Sequence, residues 1–181
     1  MQSVKTDIPD VLVIEPRVFA DDRGFFFESW SAAAWHNITG LETTFVQDNH
    51  SRSIRGVVRG LHYQINHVQG KLVRVISGEI FDVAVDLRRS SPTFGRWVGE
   101  ILSAENKRQL WIPAGFAHAF MALTETADVL YKTTDIYDRD AERSIRWDDE
   151  TLAIDWPLPS ASVLSEKDQR GVAFGDAETF E

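Results

Sequence analysis

Apolar positions along this chain come in short alternating runs, not in long helical stripes. Residues 11–14, 25–28, 44–49, 56–64, 72–76, 80–87, 97–102, 109–112, 116–123 and 129–134 read as strands. Turn signals interrupt them about every 8–12 residues, the spacing of an all-β sandwich or barrel. A jelly-roll β-barrel fits best. Gly78-Glu79 predicts a hairpin joining residues 72–76 to 80–87. In the second of those strands Phe81, Val83, Val85 and Leu87 share one face, with Asp82, Ala84 and Asp86 opposite. Helical signals are brief and confined to the N-terminal region and the C-terminal tail. Ser31 caps an Ala-rich stretch over 31–36 ending near Gly40, and Ser165-Glu-Lys-Asp168 caps a short helix. Without repeats or linkers, residues 1–181 are expected to form one domain.

The stretch Arg55-Gly-Val-Val-Arg-Gly-Leu-His-Tyr-Gln64 stands out as a strand carrying cations, glycines and a histidine, with Lys71 close behind. Strict alternation points Val58, Gly60 and His62 one way and Arg59, Leu61 and Tyr63 the other. Gly60 is where a bulge or close backbone approach is expected. A bulge there lets Arg59 and His62 face the same cavity. The competing readings are a plain barrel kink and a satisfied core histidine.

Composition narrows the partners. A net charge of −9 disfavours nucleic acid, because that binding rests on neutralising phosphates. An anionic small molecule needs a local cluster of Arg and Lys working against the overall field. The chain has no cysteine, so thiol catalysis is excluded and a metal site would need His and carboxylates. The N-terminal residues 1–16 lack the apolar stretch of a signal peptide, and no run approaches a membrane span. A cytoplasmic protein is the default expectation.

Two stretches resemble the metal-binding motifs of the cupin barrels. Gly56 followed at the sixth position by His62 matches the opening of the first, and Pro113-Ala-Gly-Phe-Ala-His118 matches the second. The other ligand positions hold Gln64, Val68 and Gln69, and two imidazoles alone make a poor divalent-ion site. The resemblance is therefore to a cupin barrel without its metal. His36, His50 and His67 read as solvated loop or turn residues.

A closer resemblance runs through nearly the whole chain. Phe19-Ala-Asp-Asp-Arg-Gly-Phe-Phe-Phe-Glu28, Gln47-Asp-Asn49, Arg59-Gly-Leu-His-Tyr-Gln64, Gln69-Gly-Lys-Leu-Val73, Trp111-Ile-Pro-Ala-Gly-Phe-Ala-His118, Tyr131-Lys132 and Leu164-Ser-Glu-Lys-Asp168 stand in order. This ordered set resembles the dTDP-4-dehydrorhamnose 3,5-epimerase family of the rhamnose pathway. Two departures are visible: Ala119 follows His118 where the family usually has Gly, and Ile65-Asn-His-Val68 replaces a stretch that often carries proline.

The resemblance implies a dTDP-4-keto-6-deoxy sugar as substrate, inverted at C3 and C5, with no cofactor. It implies His62 as base, Asp168 as its orienting carboxylate, Lys71 as the enolate stabiliser and Tyr131 as acid. It assigns Arg23 and Arg59 to the pyrophosphate, Glu28, Gln47, Asp48 and Asn49 to the nucleotide, and Tyr137 to stacking on the base. His118, Glu142 and Lys167 complete the binding set, with Phe19 and Phe26 as apolar walls. It also implies a homodimer with exchanged N-terminal strands, so that Arg23 and Glu28 serve the partner's site. The competing functions are a mono-epimerase acting at C3 or C5 only, a metal-dependent cupin, and a non-catalytic sugar-binding cupin.

Overall fold

The short apolar runs pair into two facing antiparallel sheets, a jelly roll seen here in a computed structural model that describes residues 1–159, 161 and 163–181. In chain order the first strands are β1 (Gln2–Lys5), β2 (Leu12–Glu15), β3 (Phe19–Asp21), β4 (Gly24–Phe26), β5 (Gln47–Ile54) and β6 (Val58–Gln64). They are followed by β7 (Lys71–Ser77), β8 (Glu79–Asp86), β9 (Trp97–Ser103), β10 (Gln109–Ile112), β11 (Phe116–Ala122), β12 (Thr126–Thr133) and β13 (Glu142–Ser144). One sheet has the order β1-β2-β10-β7-β12-β5 and the other β13-β6-β11-β8-β9, while β3 and β4 form a separate ribbon.

Alternation explains the layers. Val73, Val75, Leu110 and Val129 of the first sheet bury against Ile80, Ala84 and Phe120 of the second. The opposite face of the second sheet, with Leu61, Val83, Val85, Leu87 and Ala119, is covered by Leu152, Ile154, Trp156, Phe174 and Phe180 of the tail. Both faces of β8 are therefore occupied, and Asp82 lies on the inner one. On the outer side of the first sheet, α1 (Ala32–Thr39) docks its buried Trp35 against Trp111, with ring centroids 5.2 Å apart. Ser31 caps this helix through Ala34 N, and Gly40 at φ 72° ends it. The second short helix, α2 (Glu166–Gln169), is capped by Ser165 as its sequence implies.

The hairpin expected at Gly78 does not form, because β7 and β8 belong to different sheets. Gly78, at φ 74°, makes a corner: Leu123 N donates to the Glu79 carbonyl and Glu79 N to Thr124 Oγ1. Two strands with apolar inner faces bury more by facing each other across the core than by lying side by side. The strand expected over 44–49 instead runs from Gln47 to Ile54, where it is an edge strand with polar outward positions. β1 and β13 carry no apolar run and are held by pairing with β2 and β6.

The expected bulge is present. His118 pairs with His62 and Phe120 with Arg59, so three steps on β6 oppose two on β11. The peptide bond between Gly60 and Leu61, within the bulge, is cis. Gly60 has φ +123°, and a Cβ there would meet the His118 carbonyl oxygen and lie 2.5 Å from the Ala119 Cβ. Only glycine permits this approach. Gly60→Ala is expected to destabilise the protein by about 1–3 kcal/mol, the range for overpacking. Denaturant unfolding followed by circular dichroism measures this, and an unchanged midpoint would show that the approach is not tight.

Candidate active site

The two sheets part at one end around a cavity of about 370 Å³. The five-stranded sheet contributes Arg59 and His62 from β6 and His118 from β11, while Glu142 comes from β13. The six-stranded sheet contributes Gln47 and Asn49 from β5, Lys71 from β7 and Tyr131 from β12. Tyr137 and Lys167 close the rim. Arg59, Lys71 and Lys167 thus form the local cation cluster that an anionic ligand needs in a chain of net charge −9.

His62 is held from behind. Its Nε2 lies 2.5 Å from Asp168 Oδ1, and Asp168 Oδ2 accepts from Ser165 Oγ at 2.7 Å. A carboxylate accepts only, so Asp168 fixes the proton on Nε2 and leaves Nδ1 for the cavity. The Ser165 cap and the short α2 carry Asp168 into this place, where it is 4% exposed. Burial pushes the His62 pKa down, opposed by the Asp168 hydrogen bond, while Lys167 and Lys71 also favour the neutral ring. Burial pushes Asp168 up, but His62, Ser165 and Lys167 outweigh it and leave the carboxyl below its usual range.

Opposite stand Tyr131 and Lys71. Burial raises the Tyr131 pKa, which keeps the phenol protonated. Burial lowers Lys71 to about 8, and its ammonium donates to the His62 carbonyl at 3.4 Å. At the rim, Tyr137 Oη donates to Glu142 Oε2 at 3.0 Å and Lys167 Nζ to Glu142 Oε1 at 2.7 Å. Arg59 is braced by Ser53 Oγ at 2.9 Å and the Arg52 carbonyl at 3.1 Å.

Other expected residues stay apart from this cavity. The Asp48 side chain points to the opposite face of β5, as alternation requires, and pairs with Lys132 at 2.9 Å. Arg23, 90% exposed, pairs with Asp21, and Phe19, Phe26 and Glu28 are exposed along the β3–β4 segment. His36, His50 and His67 are half-exposed and face Glu42, Asp128 and Asp135. The methyl of Ala119 enters the apolar cluster behind β11, on the side away from the His118 ring. Gln64 does not face a metal site: its amide donates to the His67 and Ile136 carbonyls and accepts from Asp138 N. Among the described residues no three His, Asp or Glu side chains converge as a metal site requires.

Two residues went unread. Ser51 lines the cavity with a buried hydroxyl that has no hydrogen-bond partner among the described residues, and following the alternation of Gln47 and Asn49 two residues further would have found it. Asp82 binds His118 Nε2 at 2.7 Å beneath the cavity floor. Its signal was an acid within the apolar strand 80–87.

The family model for dTDP-4-dehydrorhamnose 3,5-epimerase matches residues 5–176. The chain is 64% identical over 180 residues to the dTDP-4-dehydrorhamnose 3,5-epimerase of Pseudomonas aeruginosa, covering 99% of each chain. It superposes with a TM-score of 0.95 and 52% identity on the dTDP-6-deoxy-D-glucose-3,5-epimerase of Legionella pneumophila, solved with dTDP-4-keto-L-rhamnose, covering 98% of this chain and 94% of that one. A 3'-monoepimerase from Streptomyces bikiniensis, in complex with dTDP-quinovose, is also similar, at 31% identity and a TM-score of 0.89 over 97% of this chain and 88% of that one.

The buried dyad makes its own prediction. The His62 imidazole, followed by nitrogen-correlated NMR, is expected to titrate below its ordinary value of about 6.5. Asp168→Asn removes the group that most favours the charged ring, so the titration falls further. A rise in that variant would mean that Asp168 does not act on His62.

Proposed function

The chain belongs to the dTDP-4-dehydrorhamnose 3,5-epimerase family and is an isomerase, and we propose that its cavity inverts the sugar by passing a proton between the two sheets. The substrate is a dTDP-4-keto-6-deoxy sugar, whose C3 and C5 hydrogens flank the ketone and are weakly acidic. His62 Nδ1 takes the proton from one face. Asp168 stabilises the resulting imidazolium, as a buried carboxylate does in a hydrolase triad. Lys71 donates to the developing enolate oxygen in a site poor in water, where a fixed cation is most effective. Tyr131 returns a proton to the opposite face. No electrons change hands.

The observation that carries this reading is that His62 stands on β6 of one sheet and Tyr131 on β12 of the other, across one cavity. Arg59 takes the pyrophosphate, for which the guanidinium fork is suited, and Lys167 belongs to the binding set. Gln47 and Asn49 hold the nucleotide, Tyr137 stacks on its base, and His118 and Glu142 contact the substrate. A single inversion at C3 or C5 would use the same groups, but the high identity to 3,5-epimerases favours both. A charged nucleotide sugar does not cross a bilayer, which supports a cytoplasmic location. No helix among the described residues is long and apolar enough to cross a membrane.

Phe19, Phe25 and Phe26 are 52%, 61% and 71% exposed, and Arg23 lies outside this chain's cavity. Phe19 and Phe26 lie directly opposite each other in the ribbon, and a contiguous exposed apolar patch marks a contact surface. It supports an exchange of the β3–β4 segment between two copies, with Arg23 and Glu28 completing the partner's site.

Two measurements follow. In heavy water, Tyr131→Phe keeps the ring and its packing but lacks the transferable proton. The variant is expected to wash deuterium into the 4-keto sugar with retained configuration, while net inversion falls by about 10²–10⁴-fold. Inversion at the parental rate would make Tyr131 a wall residue. Sedimentation is expected to find a two-chain species, and a stable, fully active monomer would contradict the exchange.

A further inference from the structure

Asp82 and Asp86 are both 0% exposed, yet their surroundings differ. Asp86 is fully engaged, by Arg88, Ser91 and Thr93. Asp82 accepts at Oδ1 from His118 Nε2 at 2.7 Å, and its Oδ2 is buried without a hydrogen-bond partner among the described residues. A carboxylate half-satisfied in the interior is expensive unless a charge compensates it. The inner face of β8 directs it toward the cavity that Lys71 lines from the opposite sheet. Lys71 is itself 8% exposed, and its ammonium makes a long contact to a backbone carbonyl. Asp82 and Lys71 are thus two buried, under-coordinated groups on facing inner faces of the two sheets.

We infer that Asp82 is a positioning residue whose carboxylate keeps the Lys71 ammonium charged for the reaction while its other oxygen aims His118. The reactive part of this assignment rests on the proposed role of Lys71 at the enolate. The balance at Lys71 supports it. Burial is the largest influence and drives the ammonium toward neutrality, Asp82 is the strongest group opposing that, Glu142 helps, and Lys167 works against them. The imidazoles of His62 and His118 face the same cavity. With Lys71 at about 8, loss of one counter-charge moves its titration into the neutral range. An opposite charge nearby is worth about 1–3 pH units.

The test reads Lys71 directly, without substrate, by carbon NMR of lysine-labelled protein. In Asp82→Asn its ε-carbon is expected to titrate at least about one unit lower than in the parent, roughly a tenfold change in the protonation constant. An unchanged titration overturns the inference. His118→Gln keeps the carboxylate, so Lys71 should hold its parental titration or rise. A fall there overturns the inference even if Asp82→Asn does not fold. The kinetic reading is the alkaline limb of deuterium exchange into the sugar. In Asp82→Asn, the rate relative to the parent should be at least about fivefold lower at pH 8 than at pH 6, whereas a merely structural defect would depress both alike. If the lysine titration moves and the limb does not, Asp82 still governs Lys71, and it is the role of Lys71 at the enolate that fails.

Discussion

The approach of Gly60 to the backbone of β11 sets the rest of the site. Without a side chain, β6 can bulge against His118 and Ala119, and the bulge converts a period of two into one of three. Arg59 and His62 then enter one cavity, although strict alternation would send them to opposite faces. The same pairing brings His62 directly across from His118. Each imidazole is backed by a carboxylate, Asp168 from the tail and Asp82 from β8. One backbone contact therefore orders a cation, two histidines and their partners.

Around this contact the site gathers positive charge in a chain that is strongly negative overall. Lys71, Arg59 and Lys167 converge where the two sheets part, and burial strips water from Lys71 and His62. Burial has opposite uses at the two positions. In the proposed mechanism a neutral imidazole is what the base requires, and the same burial weakens the hold of Lys71 on its proton, which the inferred role of Asp82 restores. The proposed two-face chemistry draws on the two layers, since a sandwich offers two inner faces across one cavity.

Much of this was legible in the sequence. The strand runs, the capped helices and the bulge at Gly60 follow from alternation, Ser31, Ser165 and a glycine between polar residues. The motif set brought Arg59, His62, Lys71, His118, Tyr131 and Asp168 together although Asp168 lies 106 positions from His62. What failed was long-range pairing. Gly78 reads as a hairpin turn because local sequence cannot tell a turn within a sheet from a corner between sheets. β1, β13 and the far half of β5 are polar and owe their conformation to neighbours. Asp82 was visible only as an acid in an apolar strand, and its meaning depends on a histidine 36 positions away.

The central claim is that protons leave and return on opposite faces of the sugar, one face for each sheet. Tyr131→Phe can be given either epimer in heavy water. Starting from the D-sugar, the exchangeable hydrogens face His62, and deuterium should enter. Starting from the fully inverted L-sugar, those hydrogens face position 131, where the phenylalanine has no group to remove them, and exchange should be lost. Equal exchange from both epimers would contradict the account.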